Sequence, residues 1–147
     1  MKQHYKAGLK LSTLIFSLIL ISNTNAVEAT AQSVSLKGIM QNLLNDTQKI
    51  TEGMFLDNFM MIEKAGNDIA SHPEVPKSTK LKLMKHFGPK MADFKAFDTL
   101  VHNAAVEINK AAKEKDMETI LKQYQQMIKA CQSCHSKFKV AAQEILK

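Results

Sequence analysis

Tyr124-Gln125-Gln126-Met127-Ile128-Lys129-Ala130-Cys131-Gln132-Ser133-Cys134-His135-Ser136-Lys137-Phe138 reads as one amphipathic helix. Tyr124, Met127, Cys131, Cys134 and Phe138 recur in steps of three and four, which puts them on one stripe. The stripe runs back to Ile120 and on to Ala141 and Ile145, and Asp116 is a good residue to start the helix. Two cysteines on an apolar helical stripe, with a histidine directly after the second, are the most informative residues of the chain.

The two cysteines are the only two in the sequence. Cys-x-x-Cys-His is the attachment signature of c-type haem. Each thiol can add to one vinyl group of the porphyrin, and the histidine can bind the iron. Residues three and four apart share a helix face, so Cys131, Cys134 and His135 can grip one flat ring. A redox dithiol usually sits near a βαβ pattern, and none is visible. Structural zinc needs four ligands, and there is no second cysteine pair. A disulfide across two residues would close a tiny strained loop on a helix.

Working outward, residues 34–52 carry Leu36, Met40, Leu43, Thr47 and Ile50 in steps of four, three, four and three, a bundle seam. Gly53 reads as its C-cap. A second helix begins at Asp57 as N-cap, with Phe59, Ile62, Gly66 and Ile69 inside, and stops at His72-Pro73. Ser78 reads as the cap of a short helix through Leu81, Leu83 and Met84, which Gly88-Pro89 ends. A third long helix starts at Pro89 and carries Phe94, Phe97, Val101, Ala104, Ile108 and Ala111 on its seam. The fold class is therefore all-α: an antiparallel up-down-up-down four-helix bundle with one covalently attached haem.

Residues 1–26 read as a secretory signal peptide, with Lys2, Lys6 and Lys10 ahead of an apolar run from Leu14 to Ile21. Cleavage is expected after Ala26, with Ala31 a second candidate; an uncleaved anchor is the rival reading. Residues 27–147 then form one haem-binding domain. Export and covalent haem attachment point to the same compartment, the periplasm. Losing the three leader lysines halves the formal surplus of +6. That surplus is too small to argue for nucleic acid. All the basic residues are lysines, so no arginine is present for bidentate base or phosphate recognition.

These residues resemble the cytochrome c′ family, whose four-helix bundle carries one haem on a Cys-x-x-Cys-His motif in the last helix. The resemblance covers about residues 34–147. It implies haem c and iron as cofactors, covalent attachment through Cys131 and Cys134, and His135 as an axial ligand. The low-spin members, similar to cytochrome c556, use a methionine on the first helix as the second ligand, and Met40 stands in a matching place. High-spin members leave that position open, bind nitric oxide or carbon monoxide, and are often homodimers. Two departures stand out. Lys139 occupies a position where members often carry arginine, and Lys37 is the nearest basic residue to the first-helix arginine of the high-spin branch.

The resulting expectation is a periplasmic carrier of single electrons, not an enzyme. It would exchange with periplasmic or membrane-bound redox proteins, a homodimer being a candidate assembly. The alternative is a five-coordinate protein that binds nitric oxide or carbon monoxide. His72 and His86 are rivals to Met40, though ordinary loop histidines are the simpler reading. Met54, Met60 and Met61 fall at the opposite end of the bundle, Met54 about 20 Å along the first helix from Met40. Lys129, Lys137, Lys139 and Lys147 read as a solvated face, or else as a basic rim that guides an acidic partner.

Overall fold

The computed structural model describes residues 35–147. The expected signal peptide, residues 1–26, and the expected cleavage positions after Ala26 and Ala31 lie outside the described residues. Five α-helices follow one another: α1 (Leu36–Phe55), α2 (Phe59–Ala70), α3 (Lys77–Phe87), α4 (Met91–Lys113) and α5 (Met117–Ile145). A 3₁₀ turn, Gly88–Lys90, joins α3 to α4. The four bundle helices are α1, α2, α4 and α5, with α3 in the crossover between the second and third.

Local chemistry explains the boundaries. Ser35 caps α1, its hydroxyl accepting from the Gly38 N–H at 3.0 Å. Asp116 caps α5 in the same way, accepting from the Thr119 N–H at 3.0 Å, which holds its carboxyl below the ordinary range. Four expected boundaries are corrected; one is the long helix expected from Pro89, which begins at Met91 after the 3₁₀ turn that holds Pro89. α1 runs past Gly53 to Phe55. The cap of α2 is Asn58, which accepts from the Met61 N–H at 3.0 Å, while Asp57 takes a left-handed turn with φ 49°. Pro76, not Ser78, precedes α3.

Gly53 is needed for close approach instead of capping. A Cβ there would lie 2.6 Å from Ile62 Cγ1 and 3.1 Å from the Asn58 carbonyl oxygen. Gly66 does the same for α2 on α4, where a Cβ would stand 3.1 Å from the Asn109 backbone nitrogen and 3.2 Å from the Ala105 carbonyl oxygen. Ala65, Ala104, Ala105, Ala111 and Ala112 are buried in this same region. Small side chains let the α2 and α4 backbones pack tightly. Gly66→Leu should therefore destabilise the fold by about 1–3 kcal/mol, the usual cost of overpacking. A denaturant midpoint unchanged from the parent protein would contradict this close packing.

The helices pack in the order α1 on α2, α2 on α4 and α4 on α5. The circuit closes most loosely between α5 and α1, which meet through side chains more than through close backbones. The core has two clusters. The larger contains Ile50, Ile62, Ile69, Ile108, Ile120 and Met127. The smaller contains Leu83, Phe87, Phe138 and Ala142, at the end where α3 closes the bundle.

Candidate functional site

Cys131 and Cys134 are free, half-buried thiols one turn apart on α5. They stand where the two core clusters meet. Cys131 packs against the larger cluster and Cys134 against the smaller. An unbroken apolar wall thus runs past both thiols on the inner side of α5. Burial pushes the Cys131 thiol above its ordinary range. Burial, then the neighbouring Cys131 and Asp98, push Cys134 up to about 11. Both are protonated near neutral pH. A redox-active Cys-x-x-Cys instead relies on a lowered thiol pKa, so this environment opposes that use. Among the described residues, no group of three or more His, Cys, Asp and Glu side chains is placed to hold a metal ion.

His135 is exposed on α5 and makes no side-chain hydrogen bond or ion pair among the described residues. Its position relative to α1 follows from one contact. Thr51 Oγ1 and the Tyr124 hydroxyl lie 2.7 Å apart and tie α1 to α5. Met40 lies eleven residues before Thr51, and His135 lies eleven after Tyr124. Eleven residues make three helical turns within about 20°, so each residue projects from the same side of its helix as its hydrogen-bonded reference. The helices run antiparallel, since Leu36 at the start of α1 joins the cluster of Phe138 and Ala142 on α5. Met40 and His135 therefore stand at one level, about 16 Å from the hydrogen bond, both facing the loosely closed α1–α5 side.

The inner seam of α1 differs from the sequence reading by about one position. Ile39 and Asp46 are buried, while Met40 is 38 % exposed and Thr47 half-buried. Thr47 turns its hydroxyl back to the Leu43 carbonyl at 2.7 Å, and Asp46 accepts from Lys49 Nζ at 2.8 Å. Met40 thus lies at the edge of the packed core and not inside it.

The rival histidines are otherwise engaged. His72 Nδ1 lies 2.9 Å from the Pro73 carbonyl oxygen and Nε2 lies 3.6 Å from Asp98 Oδ1. His86 is exposed on α3, its ring edge-on to Phe87 at 5.7 Å. Met60 is exposed at the α1–α2 turn, away from the motif. Of the lysines expected to rim the motif, Lys137 pairs with Asp93 at 3.6 Å and sits over the Phe97 ring at 5.3 Å. Lys129, Lys139 and Lys147 are exposed.

Sequence reasoning missed an aromatic cluster beside the motif. Phe138, one turn beyond Cys134, meets Phe87 of α3 at 4.9 Å and Phe94 and Phe97 of α4 at 5.5 and 6.5 Å. The phenylalanine spacing on α4 signals a seam, but only the folded chain shows that Phe87 completes it.

These residues fit a covalently held haem. Two protonated thiols share one face, a histidine adjoins them, and an apolar wall and four aromatic rings lie alongside. A family model described as Cytochrome C′ matches residues 29–139. Searches of curated proteins and of solved structures return no match.

Proposed function

Given that the chain belongs to the cytochrome c′ family and is a c-type haem cytochrome, we propose that it carries single electrons in the periplasm. In this proposal Cys131 and Cys134 hold one haem covalently, and His135 and Met40 are the axial ligands. The observation that carries the reading is the equal offset of Met40 and His135 from the Thr51–Tyr124 hydrogen bond. It brings a thioether and an imidazole to the same level on opposite walls of one interface.

The haem, when bound, supplies a one-electron Fe(III)/Fe(II) couple. The chain does the rest. Cys131 and Cys134 fix the ring against α5. His135 would hold the haem through a ring nitrogen and Met40 through its thioether sulfur, and a methionine donor would raise the potential relative to harder donors. Met127, Phe138 and Ala142 are buried in the clusters that pack on Cys131 and Cys134, and such dry surroundings would disfavour the extra charge of the ferric state. If His135 and Met40 both hold the haem, no outside ligand would need to enter or leave.

The competing reading, an open sixth position for nitric oxide or carbon monoxide, draws support from the 38 % exposure of Met40. One optical spectrum separates the two. The ferric protein is expected to be low-spin, with the weak far-red band of a sulfur–iron bond. A high-spin ferric spectrum would sink the methionine assignment and favour gas binding.

A further inference from the structure

The helix that closes the haem end carries a charge pattern that the fold does not use. Between Val75 and Lys90 there are five lysines, Lys77, Lys80, Lys82, Lys85 and Lys90, and no carboxylate. Elsewhere beyond residue 27 the balance is reversed, with 12 lysines against 14 carboxylates. The basic surplus of the domain is therefore a property of α3 and its flanks. The ion pairs involve Lys49, Lys64, His72, Lys110, Lys113 and Lys137, and none of the five α3-region lysines forms one among the described residues. Lys77 even opens α3, where the helix dipole disfavours a positive charge. The dipole favours Lys85 in the last turn, but not Lys77, and it does not account for Lys80 and Lys82.

The same helix exposes apolar surface. Leu83 and Phe87 turn inward to the cluster that Cys134 touches. Leu81 and Met84 turn outward, 58 % and 48 % exposed. Lys77, Lys80, Leu81 and Met84 recur three and four apart, and with Glu74 and Val75 they line a shallow cleft of about 370 Å³. The result is a small apolar centre within a mainly basic surround, with Glu74 at one edge. One helix, about 10 Å thick, separates it from the side chains that pack on Cys134.

We propose that this outer face of α3 is the docking surface for an acidic one-electron redox protein, one that presents carboxylates around a small apolar contact. The proposal rests on the electron-carrier reading given above. Each docking event moves one electron between the partner and the haem iron; one is oxidised as the other is reduced, and no bond forms or breaks. Charge complementarity selects the partner class, since free lysines steer a negatively charged surface at long range. Two exposed apolar side chains suffice for a transient protein contact. They are few for a helix that must bury its face in lipid.

The test is stopped-flow reduction of the ferric holoprotein by a reduced plant-type [2Fe–2S] ferredoxin, an acidic one-electron donor, over a range of ionic strength. K80E/K85E should lower the second-order rate about tenfold at low salt and flatten its salt dependence. Leu81→Ser/Met84→Ser should slow it several-fold while leaving the salt dependence in place. Lys115→Glu/Lys122→Glu, far from α3, should stay within about twofold. An unchanged rate in K80E/K85E overturns the proposal, as does a larger loss in K129E/K139E, which would move docking to α5. Co-sedimentation of holoprotein with phosphatidylglycerol vesicles, abolished by K80E/K85E while the ferredoxin rate stays unchanged, would overturn it in favour of a membrane surface. A wild type that neither ferredoxin nor the small reductant hexaammineruthenium(II) reduces would defeat the carrier reading, and docking with it. A wild type that both reduce confines any failure to the docking surface.

Discussion

Replacing both Cys131 and Cys134 by serine should yield a periplasmic chain with the mass of the bare polypeptide, while the parent chain carries one additional haem. Either single replacement should leave at most one thioether bond. The reason is geometric. Both thiols sit on one face of α5 where the two core clusters meet, and burial keeps them protonated and out of competing thiolate chemistry. The double variant should also lose stability. Without haem, the folded chain loses the large apolar body that it would otherwise bury against its core. Mass spectrometry and a denaturation curve of the two proteins check both expectations. A parent chain without added haem mass, from cells that mature other c-type cytochromes, would defeat covalent attachment.

How much of this was legible in the sequence varies from residue to residue. The four bundle helices, and the seams of α2, α4 and α5, were legible because steps of three and four survive most details of packing. Phe94, Val101, Ala104 and Ile108 on α4, and Ile120, Met127 and Phe138 on α5, lie inward as their spacing required. The caps were less legible, because adjacent residues compete. Asp57 and Asn58 both cap well, and the chain uses Asn58 once Asp57 has turned into the left-handed region. Gly53 was misread because a glycine needed for a close approach looks the same in sequence as a glycine that ends a helix. On α1, Asp46 is buried beside its Lys49 partner where the apolar pattern favoured Thr47. The motif is local, and its spacing places Cys131 and Cys134 one turn apart on α5 as the sequence required. The aromatic cluster around Phe138 was not legible, because Phe87 reaches it only through the tertiary packing of α3.

Met40→Ala should convert a low-spin ferric protein to high-spin and remove the far-red band. It should also lower the reduction potential by roughly 100 mV or more, a modest part of the ~0.8 V that axial ligation controls. Carbon monoxide binding to the ferrous form should accelerate at least tenfold, because no thioether must first leave; that factor corresponds to about 1.4 kcal/mol of barrier. The fold should tolerate the change, since Met40 stands at the edge of the core and 38 % of it is exposed. A buried methionine cut to alanine would instead cost about 2–5 kcal/mol. This contrast makes the variant informative: a large spectral change with little loss of stability identifies a ligand, and the reverse identifies packing. Ile39, buried one residue earlier, supplies the control, because Ile39→Ala should destabilise the chain while leaving the spin state alone. If Met40→Ala leaves a low-spin spectrum intact, the ligand lies elsewhere. The next variants are then His72→Ala, which would also break the contact to Asp98, and His86→Ala on the exposed side of α3.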